Sequence, residues 1–272
     1  MAALRRVRMD MVSAILVLFI SGCGGPSAQD HQALAQQALA QQDWPKAAYH
    51  LKQSIQLESK QGSTRLQLGL LYLQRFELNN AIKELRIAKS LGVKEALAPL
   101  AEAYSWQGQY QEILQLREDS HASPTEQATL LLLKVEAALI LEPFAVAKQY
   151  LDALSQFGTD SSSWYLAQAY ILLAQQQAEL ALPWLAKALQ QDPINQRALW
   201  LQAKAQLSLQ HYHDSAKTLK RLLAFSPDRV SYYLLAIDTA FAMGELDLAA
   251  RYIDQVERLD PQQPQHIFNQ AY

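Results

Sequence analysis

The sequence predicts an all-α protein, a solenoid of about seven helix-turn-helix repeats. Three observations predict it. Nine glycines and ten prolines in 272 residues, against half apolar content, leave little punctuation for a sheet protein. Apolar residues recur at helical spacing through most of the chain. A small, buried-type residue returns almost every 34 positions, the signature of a repeat array.

Taken from the N-terminus, the first element is a leader. Arg5, Arg6 and Arg8 precede the apolar run Met11 to Ile20 (MVSAILVLFI), and Ser21-Gly22 supply small residues before Cys23, the single cysteine. This is the layout of a secretory signal, too short at ten apolar residues for the roughly 20 that a spanning helix needs. Ile20-Ser-Gly-Cys23 resembles a bacterial lipobox. That resemblance implies cleavage after residue 22, lipid on Cys23, and membrane attachment by an anchor, since several acyl chains bind stably where one is marginal. Gly24, where enteric bacteria place an aspartate to retain lipoproteins in the inner membrane, favours the outer membrane, facing the periplasm. Residues 23–29 then read as the acylated cysteine and a flexible tether (GGPSAQ), and residues 30–272 as the solenoid.

The register of the repeats runs through Ala47, Ala81, Ile113, Ala147, Ala181, Ser215 and Ala249, at intervals of 34, 32, 34, 34, 34 and 34. Four residues later stand Leu51, Leu85, Arg117, Leu151, Leu185, Leu219 and Ile253, with Arg117 marking the third repeat as degenerate. An apolar helix precedes each position from the second onward, from LQLGLLYL (66 to 73) to YYLLAIDTAFAMG (232 to 244). Gly69, Ala101, Ala169 and Ala203 are the small residues that let the facing helix approach. Pro193, Pro227 and Pro261 follow helix ends, while Pro99 and Pro183 are expected in first turns, where the missing N–H has no helical partner. Gln265 to Tyr272 (QHIFNQAY) reads as the opening of one more first helix, either a short cap or a repeat cut off.

Leu68-Gly69, Tyr72, Ala81, Leu85 and Ala88, with prolines closing later repeats, resemble the tetratricopeptide repeat over about residues 31 to 261. The resemblance implies a right-handed superhelix whose first helices line a concave, peptide-binding face. Counting back eleven residues from each small position gives Leu70, Glu102, Glu136, Tyr170, Lys204 and Asp238 as groove candidates, with Trp106, Trp200 and Phe241 beside them. Trp44, Trp164 and Trp184 are expected to pack between helices.

No phosphate loop, nucleophile elbow or HExxH motif occurs, so no catalytic residue and no metal site is expected. His211 and His213 share one turn, and two imidazoles without further ligands read as solvated. The net charge is −2, or −4 once Arg5, Arg6, Arg8 and Asp10 leave with the leader (21 basic against 25 acidic), which gives no electrostatic footprint for nucleic acid. No cofactor is expected besides the lipid on Cys23.

KELRIAKSLG (83 to 92) followed by LAPLAEAYSWQGQYQEIL (97 to 114) resembles the opening repeats of the exosortase-associated, PEP-CTERM-system tetratricopeptide lipoproteins. Length, lipobox and repeat number are similar to the lipoproteins of type IV pilus biogenesis, which help secretin rings assemble. Both resemblances imply a non-enzymatic scaffold that meets envelope or secretion-system proteins through its groove. An enzyme or activator of cell-wall or polysaccharide metabolism is the alternative, with Glu102 and Glu136 as its one regular carboxylate pair.

Overall fold

The computed structural model describes residues 25–117 and 122–260. The leader, Cys23, Pro261 and the segment 265–272 lie outside the described residues.

Among the described residues there are fourteen α-helices, one 3₁₀ turn and no strand. They form seven consecutive pairs: α1 (Ala28–Ala40) with α2 (Trp44–Leu57), α3 (Gly62–Gln74) with α4 (Leu78–Ser90), α5 (Leu97–Gln107) with α6 (Tyr110–Gln115), α7 (Pro124–Leu141) with α8 (Phe144–Ser155), α9 (Ser162–Ala174) with α10 (Ala178–Gln191), α11 (Gln196–Ser208) with α12 (Tyr212–Phe225), and α13 (Val230–Met243) with α14 (Leu246–Leu259). The 3₁₀ turn (Lys94–Ala96) leads into α5. No helix among them is long and apolar enough to cross a membrane.

The periodic small positions are where the helices meet. Ala47, Ala81, Ile113, Ala147, Ala181, Ser215 and Ala249 all have 0% exposed surface, as do Ala101, Ala169 and Ala203. Leu51, Leu85 and Leu185, four residues after their small partners, are also wholly buried. A side chain at Gly69 would set its Cβ 2.6 Å from Leu85 Cγ, so α3 and α4 approach closer there than any other residue permits. Consecutive pairs share apolar cores, so each pair's open face is closed by its neighbour. Trp44 packs against the first core, and Trp164 and Trp184 against the second.

The turn inside each pair repeats one backbone device. The residue five before the small position is left-handed in six of the seven pairs: Gln42 (φ 57°), Phe76 (60°), Gly108 (73°), Gln176 (61°), Gln210 (62°) and Gly244 (76°). The following N–H closes a six-to-one bond onto the helix, as from Asp43 to the Ala38 carbonyl and from Gln177 to the Leu172 carbonyl, which satisfies the last free carbonyls. Only two of the six are glycine. The fourth pair turns instead through Glu142 and Pro143.

The third pair is the irregular one. Its α6 is six residues long, and Leu116 leaves it in an extended conformation, with Arg117 exposed. The next helix, α7, starts behind a Ser123/Glu126 capping box and runs for 18 residues. With α6 so short, α7 is covered on both sides: Leu130, Leu133 and Ala137 enter the first core, and Leu131, Leu132, Val135 and Ala138 the second. This accounts for its nearly continuous apolar sequence.

One expectation is corrected. Pro99 does lie in the first turn of α5, but Pro183 is inside α10, beyond its first turn. Pro183 and Glu179 are both exposed, so the carbonyl that loses its helical donor faces water, which lowers the penalty for the missing bond. In the first pair, His31 on α1 and His50 on α2 bring their Nδ1 atoms to 3.0 Å, so one ring donates and the other accepts.

Candidate functional site

The first helices of successive pairs supply most of the walls of two cavities. Glu102 and Trp106 project from α5, Glu136 from α7, Tyr170 from α9, Trp200 and Lys204 from α11. Leu70 on α3 and Phe241 on α13 are 41% and 45% exposed, and Asp238 is exposed on the same helix as Phe241.

Two arginines outside that series reorganise the face. Arg197, in the first turn of α11, is buried, and its Nη1 donates to Glu136 Oε2 at 2.7 Å, to Tyr170 Oη at 2.9 Å and to Ser105 Oγ at 3.0 Å. Ser105 Oγ in turn donates to Glu136 Oε2 at 2.6 Å. Arg197 Nη2 is buried without a hydrogen-bond partner among the described residues. Burial opposes the charge on Arg197, yet Tyr170 and Glu136 hold its pKa above the ordinary arginine value. Burial likewise pushes the Tyr170 phenol up, so it stays protonated at any physiological pH.

Arg229 is the second. It occupies the N-cap position of α13, where Ser161 and Asn195 cap α9 and α11 with side-chain hydrogen bonds, but Arg229 makes no such bond. Its guanidinium lies 4.2 Å from the Phe76 ring centre, 4.3 Å from that of Trp106 and 5.0 Å from that of Tyr232, and donates to Tyr232 Oη at 2.5 Å. Arg197 lies 4.7 Å from the same Trp106 ring. Phe76 and Trp106 meet edge to face with ring centres 5.9 Å apart, Arg229 lies against both and Arg197 against Trp106, so the cluster draws on the second, third, seventh and sixth pairs. Desolvated contacts of this kind are worth about 2 kcal/mol or more each. Burial pushes the pKa of Arg229 down from its ordinary value, against Tyr232 and Glu102, which raise it. Phe76 holds a left-handed backbone that disfavours a bulky side chain, and its ring packs against Trp106 and Arg229.

The result is a clasp across the groove, with a cavity on either side. The first, about 590 Å³, is lined by Leu70, Glu102, Trp106, Ser162, Arg197 and Arg229 among others. Glu102 there accepts from Trp106 Nε1 at 3.3 Å. The second, about 730 Å³, lies toward the C-terminal ends of α7, α9 and α11, and is lined by Glu136, Leu139, Ile140, Tyr170, Leu173, Trp200, Leu201 and Lys204 among others. Of the nine groove candidates, three line the first cavity and four the second, while Asp238 and Phe241 line neither. Glu136 and Tyr170 are committed to Arg197, so the two carboxylates of the enzyme alternative have different roles. His211 caps the start of α12 by position only, and both it and His213 are exposed.

Sequence reasoning missed Arg197 and Arg229, although a signal existed. Each puts a cation at a helix N-terminus, against the helix dipole and, for Arg229, in place of a capping residue. Local choices that conflict with the element they sit on mark a site held by something else.

Comparison with known proteins places the geometry. Residues 172–236 match the tetratricopeptide repeat. A tetratricopeptide repeat protein from Parabacteroides merdae superposes with a TM-score of 0.56 at 15% identity, over 90% of this chain and 97% of that one. A chain of the APC/C hetero-tetramer Cut9-Hcn1 gives 0.56 at 12% identity, over 90% of this chain and 46% of that one, so this chain spans about half its length. YrrB, described as a tetratricopeptide repeat protein with an unusual peptide-binding site, gives 0.42 at 13% identity, over 83% and 100%. No curated protein matches the sequence. The fold is a helical solenoid of the tetratricopeptide-repeat kind.

Proposed function

We propose that this chain is a lipid-anchored scaffold of the bacterial outer membrane, facing the periplasm, that holds a segment of an envelope or secretion-system protein in its inner groove. The observation that carries the binding role is the second cavity, an apolar hollow on the inner face of a solenoid with aromatic walls and a lysine at its edge. Pockets with this mixture of apolar lining and few polar groups are the usual recognition sites. The anchoring role rests on the sequence around Cys23. Of the two machines the sequence resembles, the exosortase-associated system shares the local phrases and the pilus–secretin system shares length and repeat number. No chemistry is assigned to the chain.

Photo-crosslinking in intact cells tests the binding role, with a photoreactive amino acid at position 204 and a control at Leu180, which is 59% exposed on α10. A defined envelope protein captured from position 204 and not from 180 is the expected result. The same proteins from both positions, or none from 204, would overturn it. A Cys23→Ser protein that still fractionates with the outer membrane would overturn the anchor.

A further inference from the structure

Arg197 and Arg229 line the first cavity, and the Arg197 bonds to Glu136 and Tyr170 reach the wall of the second. The second cavity is a separate recess, entered beside the C-terminal ends of α7, α9 and α11.

The charges of that recess are unequal. Glu136 is its one lining acid, and Arg197 already neutralises it at 2.7 Å. Lys204 is exposed, its Nζ lies 5.8 Å from the Trp200 ring centre, and no carboxylate among the described residues pairs with it. The recess therefore offers an apolar, aromatic-walled hollow with one uncompensated positive charge at its edge.

From this we infer that the recess recognises a short partner segment carrying one large apolar side chain next to an acidic residue. The inference rests on the scaffold reading above. The apolar side chain enters the hollow between Leu139, Leu173 and Trp200, and the neighbouring carboxylate meets Lys204 at the rim. The hollow, about 730 Å³, has room for a short segment of a few residues. The acid supplies selectivity, because a basic segment would bring like charge to Lys204.

Peptide display on the detergent-solubilised full-length chain tests this, followed by anisotropy titration of the selected peptides. Selected sequences should share an apolar–acidic pair, and Lys204→Glu should weaken them at least tenfold without changing the helical circular dichroism. Replacing the peptide's acid by lysine should restore binding to the Lys204→Glu protein. Basic consensus peptides, equal binding to the Lys204→Glu protein, or a loss confined to Leu70→Ala in the first cavity would overturn the assignment. Self-association that Lys204→Glu abolishes would also overturn it, by assigning the recess to a second copy. If display yields nothing while position 204 still crosslinks a protein in cells, the recess assignment falls and the scaffold reading stands.

Discussion

Arg197 and Ser105 are joined by a 3.0 Å hydrogen bond across 92 residues of chain. In a solenoid, each repeat normally touches only the repeats beside it, and stability is a sum of neighbour terms. This bond and the Arg197 contact with Trp106 join the third pair to the sixth, and the ion pair to Glu136 joins the fourth to the sixth, terms that no neighbour sum contains.

Arg197→Met should destabilise the protein by about 3 kcal/mol, because Glu136, only 12% exposed, is left without its cation. The Arg197→Met/Glu136→Gln double variant should recover more than half of that loss. Urea denaturation followed by circular dichroism measures both. A double variant as unstable as the single one would show that packing, not charge, carries the effect.

Arg229→Asn separates the clasp from its own helix. Asparagine at the N-cap should strengthen the start of α13 by about 1 kcal/mol, as Asn195 does for α11. The contacts of Arg229 with Phe76 and Trp106 should be lost at the same time. Hydrogen exchange should then slow at the first amides of α13 and quicken around Phe76 and Trp106. Unchanged exchange at Phe76 would mean that Arg229 does not hold the second pair.

The left-handed turns give a backbone test. Gln176→Gly and Gln210→Gly should each stabilise by about 0.5 kcal/mol, since glycine avoids the roughly 1 kcal/mol cost of that conformation but loses more entropy on folding. Gly244→Ala should do the reverse by about 0.5 kcal/mol, because no atom lies near its added methyl group and the same balance of backbone strain and entropy acts. Thermal midpoints should move by about 2 to 4 °C per kcal/mol, in opposite directions for the two kinds of change.

His50 should make the first pair sensitive to acid. Burial, then the positive charges of His31 and Lys46, hold its pKa below the ordinary value. The unfolded chain takes up the proton near its ordinary value of about 6.5, while the native imidazole resists it, so protons favour the unfolded state. Stability should be complete above that pH and fall as pH drops through it toward the lowered native value. The thermal midpoint at pH 5.5 should lie below that at pH 7.5, and His50→Gln should flatten the difference. A wild-type midpoint that rises on acidification would contradict the sign.

The repeat register was legible because neighbour packing writes itself into spacing: all seven small positions, from Ala47 to Ala249, are buried at the helix contacts. The weakness at Arg117 likewise corresponds to the shortened α6. The turns were half legible, since glycine marks only Gly108 and Gly244, while Gln42, Phe76, Gln176 and Gln210 adopt the same backbone with no residue-type signal. The clasp was not legible. Whether Arg197 reaches Ser105 depends on how far the superhelix turns over three repeats, a summed rotation that a 34-residue spacing does not carry. Counting back from the small positions found Glu136 and Tyr170 but not the arginine that occupies them.

The clasp also sets a rule for how this array can change over generations. Arrays of this kind lengthen and shorten by duplicating or deleting whole repeats, and neighbour packing tolerates either. Here a duplication between Phe76 and Arg229 would carry Arg197 and Arg229 past Trp106 and leave buried cations without rings or carboxylate to meet. Gain or loss of a repeat between the second and seventh pairs should therefore cost stability that the same change at either end would not, because the side chains that close across them fix the number enclosed.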